Sequence, residues 1–193
     1  MIVDSLSTSP FLASLSLVTL AELGDKTQLL SFMLAARWPG RQWAIILGIF
    51  IATIVNHALA AWLGQWAALA IDSDVIDIIV GVAFLAFAVW ALIPDQLEEE
   101  PSAQHRSSAF LAAMVLFFIA EMGDKTQLAT VALGAQYSDV LTVTVGTTLG
   151  MMVANVPAVM VGESLTKRFP LRKMRFVAAA LFAVFGVAAL LGK

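Results

Sequence analysis

The chain carries the stretch Ala21-Glu-Leu-Gly-Asp-Lys-Thr-Gln-Leu29 and repeats it as Ala120-Glu-Met-Gly-Asp-Lys-Thr-Gln-Leu128. Each copy places two carboxylates, an ammonium and an amide in the middle of a long apolar run. A charged side chain at the centre of a bilayer costs roughly 3 kcal/mol on insertion scales. Because the chain accepts this cost twice in the same pattern, we expect the fold to bring both copies together around one ion site.

The composition is typical of a membrane protein. Of the 193 residues, 60% are hydrophobic and only 13% are charged, and the mean hydropathy is +0.89. Soluble domains are about 45–50% apolar and about 25% charged. We therefore predict an all-α integral membrane protein that contacts membrane lipid and no nucleic acid. The absence of cysteine excludes disulfides and thiolate metal sites, and it disfavours Cu(I) as a cargo.

Six apolar segments have about the length needed to cross the hydrocarbon core, which is roughly 20 residues. The first and the fourth contain the repeated motif at mid-span, and the other four have no charged residue away from their ends. The predicted transmembrane helices are Phe11–Ala36, Trp43–Ala70, Ile76–Ile93, Ser108–Ala135, Val140–Leu165 and Met174–Leu191.

Two similar halves make up the sequence. We assign residues 1–93 to a first three-helix repeat, 94–107 to an acidic cytoplasmic linker and 108–193 to a second three-helix repeat. Because each half has three spans, the second copy must enter the membrane from the opposite side, which predicts an inverted repeat. Small residues that allow close helix packing recur 98 positions apart: Gly48, Ala52 and Gly64 match Gly146, Gly150 and Gly162.

The basic residues predict the orientation. Those in the loops after spans one, three and five all fall on one side, whereas the other side has only one lysine and several aspartates. By the positive-inside rule the basic side is cytoplasmic, so both termini should lie outside. The cytoplasmic set is Arg37, Arg41, Arg106, Lys167, Arg168, Arg172, Lys173 and Arg175, and the outer set is Lys193, Asp4, Asp72, Asp74, Asp77 and Asp139.

On a continuous helix the charged residues of each motif copy would share one face, because Glu22 is three and four positions from Asp25 and Lys26 and the second copy has the same spacing. Gly24 and Gly123 permit a kink, an unwound turn or a close approach of the partner helix. If the two motif helices cross, their oxygens converge near the midplane, where inverted-repeat transporters place the substrate. The candidate metal ligands are Glu22, Asp25, Gln28, Glu121, Asp124 and Gln127, and the remaining motif and gating residues are Gly24, Lys26, Thr27, Gly123, Lys125 and Thr126.

The ligand chemistry favours a hard divalent cation. An all-oxygen site without cysteine or a histidine pair suits Mn²⁺, Ca²⁺ or Mg²⁺. Four carboxylates and two lysines sum to a charge of −2, which one divalent ion or two protons would neutralise. Metal and protons would then compete for the same carboxylates, which is the simplest basis for antiport. The alternative is that the charged groups form structural salt bridges, with the lysines as fixed partners instead of mobile counter-ions.

Three further polar residues lie in the middle of the second and fifth spans. Asn56, His57 and Asn155 are secondary candidates for the site, and His57 matches Asn155 in the repeat. Each could add a ligand, and His57 could relay protons. The simpler interpretation, which we prefer, is an interhelical hydrogen bond.

Both copies of the motif resemble the signature E-x-G-D-[KR]-[TS] of the Gdt-type cation/proton exchanger family, which is grouped with the LysE superfamily. That family includes Golgi and chloroplast-envelope manganese and calcium transporters and bacterial manganese exporters. The resemblance covers the whole chain and implies exchange of Mn²⁺, or of Ca²⁺, for H⁺, with the acidic motif residues as ligands. It implies no prosthetic group. The lack of a visible targeting extension fits a bacterial inner membrane better than an organelle.

From these observations we predict a secondary transporter that exports Mn²⁺ from the cytoplasm in exchange for protons. The alternatives are a Ca²⁺/H⁺ exchanger, an exporter of a cationic organic solute, and a cation channel lined by acidic rings. An enzyme is not expected, because the sequence has no G-x-S-x-G, no H-E-x-x-H and no phosphate loop. The sequence is compatible with a homo-oligomer.

Overall fold

The computed structural model describes residues 9–93, 108–161 and 171–191, with only the backbone for 171–175. Within these ranges it contains eight α-helices and no β-strand, so the prediction of an all-α fold is confirmed. The predicted linker 94–107, Gly162 and residues 163–170 lie outside the described residues. The helices are α1 (Pro10–Glu22), α2 (Lys26–Arg37), α3 (Gln42–Ala70), α4 (Ser73–Trp90), α5 (Ala109–Glu121), α6 (Lys125–Tyr137), α7 (Val140–Val161) and α8 (Leu171–Leu190).

The helices α3, α4 and α7 are each long and apolar enough to cross a membrane. The helices α1 and α5 are apolar but only 13 residues long, because the segments predicted as spans one and four are each broken at the repeated motif. Large apolar side chains such as Trp43, Leu69 and Leu141 are at least 75% exposed, as expected for a surface that faces lipid. The chain is an integral membrane protein.

The long helix of each half packs against the first helix of the other half. Helix α3 contacts α5, and α7 contacts α1. Both contacts are made at a glycine: a Cβ added to Gly48 would lie 2.5 Å from the carbonyl oxygen of Phe110, and one added to Gly146 would lie 2.9 Å from that of Phe11. Real Cβ atoms do not approach so closely, so these glycines are what allows the backbones to meet.

The last helix of each half forms a pair of its own. Helices α4 and α8 cross where Gly81 faces Gly186, and a Cβ on either glycine would lie 2.9 Å from the carbonyl oxygen of the other. Next to this crossing, Phe84 lies at ring-centroid distances of 6.2 Å from Phe182 and 6.1 Å from Phe185. Such aromatic clusters pack closely without polar contacts, which suits helices in an apolar solvent.

The α4–α8 pair does not pack equally on both sides of the motif. Helix α4 packs against α6, and α8 packs against α1. Among the described residues, the contact of α4 with α5 and that of α8 with α2 are much weaker. The larger apolar core accordingly joins α1, α3, α4, α6 and α8 with the first turn of α7, and a smaller one joins α2, α3, α5 and the end of α7. The α1 and α6 side of the molecule is therefore the more tightly closed one.

Candidate ion-binding site

The site is built on two breaks in helices, one in each copy of the motif. Helix α1 ends at Glu22 and α2 begins at Lys26, with the same arrangement 99 residues later between α5 and α6. Gly24 has a φ of 85° and Gly123 a φ of 76°, in the left-handed region that favours glycine. Of the three conformations that the glycines permit, the chain adopts the unwound turn.

Each turn is held by the glutamine of its own motif. The Gly24 N–H donates to Oε1 of Gln28 at 3.0 Å, and the Gly123 N–H donates to Oε1 of Gln127 at 2.7 Å. The side-chain amide groups point to the other half, where Gln28 donates to the carbonyl oxygen of Ala154 at 3.1 Å. Both glutamine oxygens therefore already have one backbone donor, and their predicted role as neutral ligands stays a prediction.

The two glutamates are completely buried at the ends of α1 and α5. In each, Oε2 accepts a hydrogen bond from the motif threonine: Thr27 donates to Glu22 at 2.5 Å, and Thr126 donates to Glu121 at 3.1 Å. Within the described ranges, Oε1 of each glutamate accepts no hydrogen bond. The copies of the motif meet inside the protein, because charged side chains of one copy contact those of the other.

The aspartates and lysines pair across the two copies of the motif. Nζ of Lys26 lies 3.5 Å from Oδ2 of Asp124, and Nζ of Lys125 contacts Oδ1 of Asp25. The two pairs differ in exposure: the side chain of Lys26 is 27% exposed, whereas that of Lys125 is only 4% exposed. This difference follows from the packing, because α6, which begins at Lys125, is covered by α4, and α2 lacks an equally close contact with α8.

The buried charges do not form a finished metal cage in this arrangement. Among the described residues there is no group of three or more histidine, aspartate or glutamate side chains that could together hold one ion. The prediction that all four motif carboxylates bind a single ion therefore stays a prediction. What the structure brings together is two buried glutamates beside two reciprocal lysine–aspartate pairs.

The mid-span amides of α3 and α7 make interhelical hydrogen bonds. Asn56 donates to the carbonyl oxygen of Phe118 at 3.1 Å and accepts from Gln127 at 3.4 Å. Asn155 accepts from the hydroxyl of Ser31 at 2.8 Å. His57, in contrast, is fully buried and has no hydrogen bond to either ring nitrogen within the described residues.

Sequence reasoning missed Ser31 as part of this network. Ser31 follows the motif Thr27 by one helical turn, and Thr130 follows Thr126 by the same four residues. Both hydroxyl-bearing side chains are fully buried. The signal was present in the sequence, because a hydroxyl residue recurs at the same distance beyond both copies of the motif.

Comparison with known proteins identifies the family of the chain. The family described as "Divalent cation/proton antiporter GDT1" matches residues 10–99 and 109–193. The chain belongs to this family. The GDT1 family is a family of transporters and not of enzymes. The resemblance that the two motif copies indicated is confirmed.

Individual relatives are similar over nearly their full lengths. A Vibrio cholerae protein named "Putative manganese exporter" is 50% identical over 176 residues, which are 91% of this chain and 87% of that protein. "GDT1-like protein 5" of Arabidopsis thaliana is 30% identical over 219 residues, covering 94% of this chain and 95% of the plant protein. The Synechocystis "GDT1-like protein sll0615" is 29% identical, covering 92% and 94% respectively. No solved structure matches the chain.

Proposed function

We propose that this chain exports Mn²⁺ from the cytoplasm of a bacterium across the inner membrane, in exchange for protons. The observation that carries the proposal is the meeting of two buried glutamates with two lysine–aspartate pairs formed between the copies of the motif. These six groups carry a charge of −2 when all are ionised. One divalent ion or two protons would bring this charge to zero, so metal and protons are alternative occupants.

The lysines give the exchange its physical basis. An ion that binds Asp25 or Asp124 must displace the ammonium group that contacts that carboxylate. Lys26 and Lys125 are then counter-ions that return when the metal leaves, which avoids leaving an unpaired charge in a low-dielectric site. Exchange against two protons also makes export electrically neutral. Without it, moving a divalent ion out against a negative-inside potential would cost about 4.6 kcal/mol per 100 mV.

The choice of Mn²⁺ has support from two directions. The candidate ligands are oxygen atoms, which suit Mn²⁺, Ca²⁺ and Mg²⁺, and the chain contains no cysteine for softer metals. The Vibrio cholerae relative, at 50% identity, is named as a manganese exporter. Ca²⁺ is the competing cargo, and a flux assay with both ions decides between them.

We propose further that the chain has six spans arranged as an inverted repeat, in which each broken pair of short helices crosses the membrane once. The reciprocal packing of α3 on α5 and of α7 on α1 supports this arrangement. By the positive-inside rule, the basic loops favour a cytoplasmic location for α2 and α5 and an outer location for both termini. The short helices α1 and α6 then lie in the outer half of the membrane. Movement of the α4–α8 pair away from α1 and α6 and towards α2 and α5 would close the site to the cytoplasm and open it to the outside.

The direct test is flux in sealed vesicles containing the purified protein. A proton gradient, acidic inside, should drive Mn²⁺ uptake into the vesicles, and collapsing the gradient with a protonophore should abolish it. A membrane potential alone should have little effect, because two protons balance one divalent ion. Flux that continues without a proton gradient at channel-like rates would contradict antiport, and Ca²⁺ flux faster than Mn²⁺ flux would contradict the assignment of cargo.

The packing asymmetry predicts which side of the site water reaches. Lys26 is the more exposed of the two motif lysines, and because an exposed ammonium group needs water, its pair with Asp124 marks the side that water reaches. Met122, two residues before Asp124, is 61% exposed at the α5–α6 turn, whereas the equivalent Leu23 is only partly exposed. Because the chain has no cysteine, Met122→Cys and Leu23→Cys each introduce a unique thiol. We expect Met122→Cys to react several times faster with a membrane-impermeant thiol reagent supplied from the cytoplasmic face. Equal rates, or labelling of Met122→Cys only from the outer face, would contradict a site open to the cytoplasm.

A further inference from the structure

His57 and Asn155 occupy equivalent positions on the long helices of the two halves. The buried positions on α3, including Ile45, Gly48 and Ala60, recur on α7 98 residues later, and the same spacing relates His57 to Asn155. Both side chains are 0% exposed. The two positions therefore have the same register and the same burial, which makes their hydrogen bonding directly comparable.

The hydrogen bonding of the two residues is opposite. Asn155 accepts from Ser31 at 2.8 Å and donates to the carbonyl oxygen of Met151 at 3.1 Å. His57 has no hydrogen-bond partner for Nδ1 or for Nε2 among the described residues. A buried polar group without a partner costs roughly 1–3 kcal/mol, so such groups are rare unless they have a function. A purely structural role would be met by an asparagine, as the other half demonstrates.

The imidazole faces the glutamate of the site. Nε2 of His57 lies 3.9 Å from Oε2 of Glu121, which is too long for a hydrogen bond. Adjacent ligand atoms around one six-coordinate ion lie roughly 3.0–3.7 Å apart, as bond lengths of about 2.1–2.6 Å require. A small movement of either side chain would thus let both atoms bind the same ion.

We propose that His57 is a metal ligand and sets the specificity of the transporter, by adding one nitrogen to an otherwise oxygen-lined site. This inference rests on the proposed function. A neutral imidazole binds first-row transition-metal ions, whereas Ca²⁺ and Mg²⁺ select oxygen ligands. His57 therefore favours Mn²⁺ over Ca²⁺ and Mg²⁺. Because only one half has this histidine, the metal binds off-centre, nearer to Glu121 than to Glu22.

The decisive measurement is pulsed EPR of Mn²⁺ bound to the purified full-length protein. The chain has two histidines, so in a His105→Asn variant grown with ¹⁵N-histidine, His57 is the one labelled imidazole. We expect a ¹⁵N hyperfine coupling to bound Mn²⁺ in this protein. It should be absent from a His57→Asn protein labelled in the same way. Bound Mn²⁺ without a ¹⁵N coupling in the His105→Asn protein would overturn the proposal, and this outcome does not require any variant at position 57 to fold.

Flux gives the second readout. His57→Asn copies the residue of the other half, and it should lower the preference for Mn²⁺ over Ca²⁺ at least about tenfold. Removing a residue that only orients a metal ligand already costs about tenfold or more in metal affinity. Transport of Ca²⁺ should persist. His105→Asn, the same chemical change in the segment 94–107, should leave the preference unaltered. An unaltered preference in His57→Asn would overturn the role of His57 alone, whereas a wild-type protein that moves neither ion would overturn the proposed function.

Discussion

Vesicles that contain Glu121→Gln or Glu22→Gln should transport Mn²⁺ at least about 100-fold more slowly than the wild type. Removing a residue that only orients a metal ligand already costs about 10–100-fold in metal affinity, and loss of a ligand itself must cost more. Both carboxyl groups are completely buried, and one oxygen of each has no hydrogen-bond partner among the described residues. Glutamine keeps the shape and can still accept a hydrogen bond from Thr27 or Thr126. What it removes is the charge that attracts the metal and the site that binds the proton.

The expected loss is in transport, and not in folding. Neutralising a buried carboxylate removes a desolvation cost, so both variants should be at least as stable as the wild type. Thermal unfolding of the purified proteins, followed by tryptophan fluorescence, checks this expectation. Destabilised variants with unaltered flux per folded molecule would instead support a purely structural role for these charges.

A matched control removes a carboxylate away from the site. Asp139 lies between α6 and α7, where its side chain accepts a hydrogen bond from the Thr142 N–H at 3.0 Å. Hydrogen bonds from the Thr142 side chain and backbone lower the pKa of the Asp139 carboxyl, so it is charged at neutral pH. Asp139→Asn should leave Mn²⁺ flux within about twofold of the wild type, as expected for a surface change outside the binding machinery. A loss as large as that of Glu121→Gln would mean that overall charge, and not the buried site, controls transport.

The location of the site could be predicted from the sequence because its signals are local. Ionisable residues in an apolar run identify a functional site in a membrane, and a glycine between them permits a break in the helix. The sequence left three conformations open at Gly24, and only the fold selects the unwound turn, with a φ of 85°. The long helices α3 and α7 were predicted for the same reason, since uninterrupted hydropathy over 20 or more residues is itself a local property.

The pairing of the charges could not be predicted in this way. Positions three and four apart are neighbours only on a continuous helix, which puts Glu22, Asp25 and Lys26 on one face. The turn at Gly24 breaks that geometry, and Lys26 contacts Asp124 of the other copy. The unequal packing of α4 and α8 is also invisible in the sequence, because α4 from Ile78 and α8 from Phe176 are apolar to their ends. Such surfaces can pack against any apolar neighbour. The unequal packing nevertheless decides which lysine is exposed.

The surroundings of the two motif aspartates predict different effects of two chemically identical variants. Lys125→Met leaves Asp25 without the ammonium group it contacts, in a site where the lysine side chain is only 4% exposed. Breaking a buried ion pair by removing one partner costs about 3–5 kcal/mol. Lys26→Met also leaves a buried carboxylate, since the side chain of Asp124 is only 1% exposed, but Asp124 keeps the hydrogen bond that the Lys125 N–H donates to it at 2.7 Å. A hydrogen bond to a charged group is worth about 1.5–3 kcal/mol, so a smaller cost of about 2 kcal/mol is expected.

Thermal unfolding in detergent measures this difference. For a chain of this size each kcal/mol shifts Tm by about 2–4 °C, so Lys125→Met should lose about 6–20 °C and Lys26→Met about 4–8 °C. Adding Asp25→Asn to Lys125→Met should recover most of the loss, because it removes the charge that was left buried. Equal losses for the two lysines would show that the hydrogen bond from the Lys125 N–H does not compensate the charge of Asp124. No recovery in the double variant would show that Lys125 stabilises the fold through contacts other than its ion pair with Asp25. That result would contradict the role of this lysine as a mobile counter-ion.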